Sequence, residues 1–444
     1  MQQGRCRAEE GRLQKAAGFF AGGVRAAMMA ALGLPLFCAA APAQTIAVNY
    51  DEAKVGSYTL PDPLILEDGR PVETAAGWKL RRQELLKLFE ENVFGRTPPP
   101  PRKLHFHVDE AHGYALDGEA IRQQVTIFFS GKKDGPQAHL LIYIPAGAAQ
   151  PVATFLTLNF FGNQSVISDP GVPLPMIWNW KTHVRERAAE TSRGKDKEFD
   201  IEKILARGYG FATLYYQDLE PDFKGGYKYG IRPLFFKPGQ TEPAPGEWGA
   251  IGAWAYGLSR AMDFLERDKY LDAKRVAIMG HSRLGKTVLW AAAQDLRFAM
   301  VLSSCSGEGG ASLVRRNYGE RIHNLTDTFP YWFSLDLKRY AGHSDQLPVD
   351  AHELIALIAP RPVYVTGAMD DRWADPKGEF LACVAAEPVY RLLGAQGLGT
   401  DRMPPLNRPI MHTIAFHIRS GKHAVTAFDW EQFLRFADLY LPGD

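Results

Sequence analysis

Residues 280–287 read Gly-His-Ser-Arg-Leu-Gly-Lys-Thr and fit two unrelated chemistries at once. Letter by letter they satisfy G-x-x-x-x-G-K-[ST], the loop whose amides and lysine cradle the phosphates of a nucleotide. They equally fit a nucleophile elbow, a sharp turn that exposes Ser282 between a strand over 275–279 and a following helix. Distant residues discriminate. A phosphate loop needs a magnesium-binding acid at the end of another apolar strand. Asp370 and Asp371, after the apolar run 363–369, are the candidates, and no base-recognition motif accompanies them. An elbow needs an acid and then a histidine further along the chain. Asp371 at a strand end and His423, in a loop after a strand over 412–418, supply that order. In such a triad the imidazole takes the serine proton while the carboxylate holds the other ring N–H.

Those side chains need a framework. The spacing predicts a surface helix over 78–94, stopped by the proline run that begins after Thr97. Strands are predicted over 124–129, 138–144 and 153–158, then a charged, aromatic loop insertion over 178–200. A helix ends near Arg207, a strand follows over 211–216, and a loop with many Gly and Pro residues runs to Glu247. From Ile251 onward, Trp254, Leu258, Met262 and Leu265 fall on one helical face. Later strands are predicted over 300–303 and 362–366. The alternation argues an α/β fold, a mostly parallel sheet with helices on both faces.

The chain has 444 residues, 46% hydrophobic and 23% charged, with a formal net charge of +1, so nothing suggests a nucleic-acid partner. Its N-terminus carries scattered cations (Arg5, Arg7, Arg12, Lys15, Arg25), an apolar run over 26–41, then Ala41-Pro42-Ala43. That layout is a secretory signal peptide over 1–43, too short for a convincing membrane span. Glu9 and Glu10 interrupt the basic region, so Met28 or Met29 is an alternative start. The expectation is a periplasmic or secreted protein without membrane attachment, one catalytic domain over 44–444, acting as a monomer. An exported protein meets little nucleoside triphosphate, which weighs against the phosphate loop. Cys6 and Cys38 lie in the leader, leaving Cys305 and Cys383 as one disulfide or two buried thiols. His105 and His107 alternate as on a surface strand without a third ligand, so neither a metal nor a cofactor is expected.

The segment from Glu247 to Arg316 resembles the glucuronoyl esterases of carbohydrate esterase family 15, whose signature is G-[CH]-S-R-x-G-K followed by an acid-S-G-x-G-G turn. Gly280-His281-Ser282-Arg283-Leu284-Gly285-Lys286 carries the first part, and Cys305-Ser306-Gly307-Glu308-Gly309-Gly310 the second. The likeness continues in Arg315-Arg316, Tyr318-Gly319-Glu320, Asp371-Arg372-Trp373-Ala374-Asp375-Pro376 and Gly421-Lys422-His423. Leu60-Pro61-Asp62-Pro63 and Arg207-Gly208-Tyr209-Gly210 extend it upstream. The resemblance implies an α/β-hydrolase fold and a serine esterase. One departure matters: Cys305 stands where many members carry the triad glutamate, and a thiol is scarcely ionised at neutral pH. Some members take the acid from the later strand, which maps to Asp371; Asp370 and Glu308 are the rivals.

By the same resemblance, the Arg283 guanidinium joins the Arg283 backbone N–H in stabilising the oxyanion, and Lys286, Glu320 and Trp373 line a uronate pocket. The implied substrate is the ester between 4-O-methyl-glucuronoyl groups of xylan and lignin alcohols. Trp178 and Trp180 are placed on the leaving-group side. Singly, Arg283 and Lys286 also fit solvated helix residues, Trp373 fits packing, and Glu320 fits an ion pair with Arg315 or Arg316. An acetyl xylan or other carbohydrate esterase, and a non-catalytic carbohydrate-binding member, are the alternatives.

Overall fold

Unbroken apolar runs form strands where both faces of a sheet are covered, and alternating runs form them at an edge. Both occur here, in the computed structural model, which describes residues 47–442. The signal peptide expected over 1–43 lies outside the described residues. The strands are β1 His105–Ala115, β2 Ala120–Phe128, β3 Gln137–Pro145, β4 Val152–Asn159, β5 Met176–Trp178 and β6 Arg185–Arg187. They continue with β7 Gly210–Tyr215, β8 Leu271–His281, β9 Met300–Ser304, β10 Val363–Ala368, β11 Ile410–Met411 and β12 Ile414–Arg419. All but β5 and β6 join one sheet in the order β1-β2-β3-β7-β4-β8-β9-β10-β12-β11. From β7 to β12 the pairings are parallel, while β1 to β3 and the short β11 are antiparallel.

The helices are α1 Ala75–Phe89, α2 Ile201–Ala206, α3 Tyr216–Leu219, α4 Ala250–Leu265, α5 Arg283–Gln294, α6 Ile322–Thr328, α7 Ala351–Ala356, α8 Pro376–Leu392 and α9 Ala427–Tyr440. One core lies between the sheet and α4, α5, α7 and α8; a second lies under α2 and α9. Strand β10 shows the division: Val363 and Val365 enter the first core and Tyr364 the second. The architecture is the three-layer α/β-hydrolase arrangement expected.

The structure departs from the expected elements where packing overrides local pattern. The helix predicted over 78–94 begins at Ala75, with Thr74 accepting the Gly77 N–H, and ends as a π-helical turn over Glu90–Phe94. The 178–200 insertion is not all loop, because β5 and β6 pair as a hairpin with Ile177 opposite Glu186. The strand predicted over 412–418 forms as β12, starting at Ile414, and a separate two-residue strand, β11, precedes it. Helix α4 is buried on nearly every side rather than along one stripe. His105 and His107 sit on the edge strand β1, exposed as expected. Cys305 and Cys383 are both buried and unbonded. Among the described residues no helix is long and apolar enough to cross a membrane.

Candidate active site

The octapeptide turns at Ser282, whose backbone sits at φ 58, ψ −127, between the end of β8 and the start of α5. A non-glycine residue held at positive φ is strained, and such strain persists only where the surroundings impose it. Here they do. A Cβ on residue 280 would lie 2.1 Å from the Leu284 carbonyl oxygen, so only glycine lets the strand and helix close so tightly. The Ser282 N–H donates to the Ser304 carbonyl at 2.9 Å, tying the turn to the end of β9.

Lys286 excludes the phosphate-loop alternative by its surroundings. It is buried, and its Nζ donates to the carbonyls of Ser306 (2.7 Å) and Glu308 (2.6 Å) and to Glu320 Oε2 (3.0 Å). An ammonium has three N–H donors, and all three are spent inside the protein.

The acid and the histidine come from the next strand ends along the sheet. Asp371 follows β10 and His423 lies between β12 and α9, with His423 Nδ1 2.5 Å from Asp371 Oδ2. Asp371 is 6% exposed and His423 42% exposed, so the carboxylate is held inside and the ring reaches the surface of the pocket. His423 Nε2 carries no hydrogen bond among the described residues. The rival acids are elsewhere. Asp370 is exposed, with its N–H on the Gly421 carbonyl. Glu308 is buried against an apolar cavity lined by Phe89, Val93 and Leu325, and burial pushes its carboxyl well above the usual range.

Cys305 follows β9 at φ 47, and burial raises its thiol far above the ordinary value, so it is neutral and cannot orient an imidazolium. Beside it, the buried His281 ring packs against His423 with centroids 4.4 Å apart and planes 37° from parallel. His281 Nδ1 lies 2.9 Å from Glu198 Oε1, while its Nε2 is buried without a partner. The turn after Cys305 is held from below by Glu379 of α8, whose Oε1 accepts the Gly307 N–H at 3.0 Å. Burial keeps the Glu379 carboxyl well above its usual range.

Arg283, the first residue of α5, is bound through Nη1 to Asp222 Oδ2. The same carboxylate accepts from Tyr216 Oη at 2.9 Å, Tyr331 Oη at 3.0 Å and Trp332 Nε1 at 2.7 Å. The Arg283 guanidinium lies 4.7 Å from the Trp332 ring centroid, and Trp332 stacks on Phe329 at 3.8 Å. Its Nε is buried without a partner, so the group is fixed in place yet has donors to spare. Asp222 and Glu198 are supporting residues that sequence reasoning missed. Neither sits in a motif, and only the fold brings them to Arg283 and His281.

Glu320 and Trp373 come from neighbouring loops joined by the Glu320 N–H on the Trp373 carbonyl at 2.8 Å. Glu320 pairs with Lys286, whereas Arg315 pairs with Asp350 and Arg316 with Asp375. Trp373 is 40% exposed and forms part of the pocket wall. Residues 49–52 strap this region from outside. Asn49 Nδ2 donates to the Asn317 carbonyl, its Oδ1 accepts the Asp51 N–H and its carbonyl accepts the Gly319 N–H; Arg372 donates to the Tyr50 carbonyl; Glu52 binds Arg316 and Lys377.

These residues converge on one pocket of about 350 Å³ at the carboxyl ends of the parallel strands. Ser282, Arg283, Asp371, His423, Lys286, Glu320 and Trp373 all line it. Trp178 and Trp180, expected on the leaving-group side, are not among its lining residues: Trp178 packs on Phe223 and Tyr229, and Trp180 is exposed. A serine on a strained turn, a histidine with one nitrogen on a carboxylate, and a fixed guanidinium are what acyl transfer requires.

Comparison with known proteins agrees. The family model described as "Glucuronyl esterase, fungi" matches residues 243–394. The glucuronoyl esterase from Solibacter usitatus is 52% identical and superimposes with a TM-score of 0.85 over 87% of this chain and 99% of that one. A promiscuous family 15 esterase from a marine bacterial metagenome is 46% identical, with a TM-score of 0.83 over 89% of this chain and 100% of that one. A 4-O-methyl-glucuronoyl methylesterase of Schizophyllum commune is 28% identical over 82% of this chain and 81% of its own. The chain belongs to carbohydrate esterase family 15, the glucuronoyl esterases, and is a carboxylic ester hydrolase.

Proposed function

We propose that this esterase cleaves esters of 4-O-methyl-glucuronic acid on xylan, releasing a lignin-type alcohol, with Ser282 as nucleophile, His423 as base and Asp371 as the orienting acid. The observation that carries the assignment is the 2.5 Å contact between His423 Nδ1 and Asp371, which leaves Nε2 free in the pocket that also holds Ser282. His423 Nε2 takes the Ser282 hydroxyl proton as Oγ bonds to the ester carbonyl carbon. The C–O bond to the alcohol then breaks, and the imidazolium returns the proton to the departing oxygen. Water repeats the sequence on the acyl-enzyme and frees the uronic acid. Throughout, Asp371 keeps the ring in one tautomer and offsets its transient charge.

The tetrahedral oxyanion lies beside the first turn of α5, where the Arg283 backbone N–H has no partner within the helix and the helix dipole favours negative charge. The Arg283 guanidinium supplies a second donor, one that Asp222 and the aromatic ring of Trp332 hold ready. Losing one such donor costs about 10²–10³ in rate. Arg283→Lys is therefore expected to fall by that factor in kcat, because a point charge lacks the planar fork. A near-normal kcat would remove the guanidinium from the mechanism. Glu320 and Trp373 meet the sugar directly, through a hydroxyl-binding carboxylate and an indole face. Lys286 acts mainly by fixing Glu320 and the 306–308 turn, since its donors are already engaged.

We further infer an exported protein that acts as a monomer without a cofactor, in keeping with the leader pattern over 1–43. A broader carbohydrate esterase is the second reading, favoured by the 46% identical relative described as promiscuous. Hydrolysis of benzyl glucuronate against benzyl acetate separates them. Glucuronate cleavage that disappears in Ser282→Ala supports the glucuronoyl esterase. Cleavage of the acetate alone makes it a general esterase, and turnover of neither makes it a binding member.

A further inference from the structure

Once the serine, the acid and the oxyanion donors are assigned, two neighbouring side chains, Cys305 in the pocket lining and His281 against the His423 ring, still have no part in the chemistry. A ring nitrogen of His281, the Cys305 Sγ and a ring nitrogen of His423 lie within 4.8 Å of one another. On each ring Nδ1 is already engaged by a carboxylate, Glu198 for His281 and Asp371 for His423. The remaining nitrogens are therefore the two Nε2 atoms. His281 is 5% exposed, and its Nε2 is buried without a hydrogen-bond partner among the described residues, an expensive condition for a polar atom.

A histidine that ligates a metal usually donates its other N–H to a carboxylate, which fixes the tautomer and raises the basicity of the ligating nitrogen. Both histidines here have that outer partner. Two imidazoles and one thiol suit a borderline-soft divalent cation such as zinc, and leave a fourth position open on the pocket side. The approach is open too, since His423 is 42% exposed. With metal–nitrogen and metal–sulfur bonds of about 2.0 and 2.3 Å, tetrahedral ligands sit roughly 3.6 Å apart. The three groups must draw together by about 1 Å, within the reach of side-chain rotations.

We propose that His281, Cys305 and His423 form an inhibitory site for a thiophilic divalent cation of the zinc class. Binding forms two metal–nitrogen bonds and one metal–sulfur bond, and the thiol proton passes to solvent. The metal takes the Nε2 lone pair that His423 uses to accept the Ser282 proton, so turnover stops without any change in the fold. The inhibition rests on the esterase reading above, but binding itself does not.

The test is titration of the chelator-treated protein with Co²⁺ and then Zn²⁺, followed by absorbance and by benzyl glucuronate hydrolysis. One equivalent of Co²⁺ is expected to produce a thiolate-to-cobalt charge-transfer band that Zn²⁺ abolishes. Zn²⁺ should suppress hydrolysis and a chelator should restore it. Cys305→Ala should keep its turnover, lose the band and need at least about tenfold more Zn²⁺ for half-inhibition. His281→Gln, which removes a second ligand, should also lose the band. An absent band in the parent protein overturns the site. So does a band retained in Cys305→Ala, which would place the metal at Cys383 or elsewhere, or a Zn²⁺ response unchanged in both variants. A band without any esterase activity would instead leave the site standing and sink the function.

Discussion

Two histidine–aspartate pairs flank the end of β12, and they do opposite things. His417, within the strand, has Nε2 2.9 Å from Asp429 Oδ1 and Nδ1 2.8 Å from the Tyr364 hydroxyl. Asp429 also binds Arg419 and caps α9 through Thr426. Both partners are 0% exposed. Every hydrogen-bonding position on that imidazole is spent, and burial holds its pKa below the usual value, so it stays neutral. His423 has the same acid contact but spends one nitrogen only, and it is 42% exposed at the pocket. The bond to a carboxylate is common to both; the histidine proposed as the base is the one with a nitrogen left unspent.

The contrast is testable from its most damaging perturbation downward. Ser282→Ala or His423→Ala should each lower kcat by on the order of 10⁵–10⁶, and the double variant should fall no further, since the groups act as a unit. Melting temperatures should barely change. Asp371→Asn should cost about 10⁴ in kcat by allowing the wrong tautomer. Asp370→Asn, changed at an exposed neighbour, should stay within a few-fold, and a comparable loss in both would undo the assignment. His417→Gln should invert the pattern: stability measured in urea falls by about 2–4 kcal/mol, because Asp429 Oδ1 is left buried without its imidazole donor, while folded protein keeps its turnover.

The smallest effect concerns pH. A histidine whose folded pKa lies below its unfolded value of about 6.5 binds its proton more readily when unfolded. Its contribution is thus complete above that value and is lost as pH falls toward the folded pKa. The loss cannot exceed about 1.4 kcal/mol per pH unit. His417→Gln should flatten the decline of melting temperature below pH 6.5, and an unchanged slope would assign the decline to other groups.

Sequence reading found the parts of this site that chemistry fixes in chain order: the elbow at Ser282, an acid after one strand and a histidine after another. It could also separate Asp371 from Cys305, because a thiol cannot do a carboxylate's work. What it could not reach were contacts set by the fold. Nothing near Asp222 announces that it gathers Arg283, Tyr331 and Trp332, and nothing near Glu198 links it to His281. The same limit appears in the framework. The parallel centre was legible from unbroken apolar runs such as β4, whereas the exposed edge strand β1 showed only in the alternation of His105 and His107, and helix α9 was not read as an element. The β5–β6 hairpin, polar and short, reads as loop because its pairing is not encoded in periodicity.

The strap formed by residues 49–52 has a practical consequence. Among the described residues it hydrogen-bonds to neither Ser282 nor His423, yet it is bonded to the loops that present Glu320 and Trp373. A preparation nicked just after Glu52 would keep its sheet, its triad and its heat stability while binding uronate poorly. A weak batch of this enzyme is therefore a question for N-terminal sequencing before it is one for kinetics.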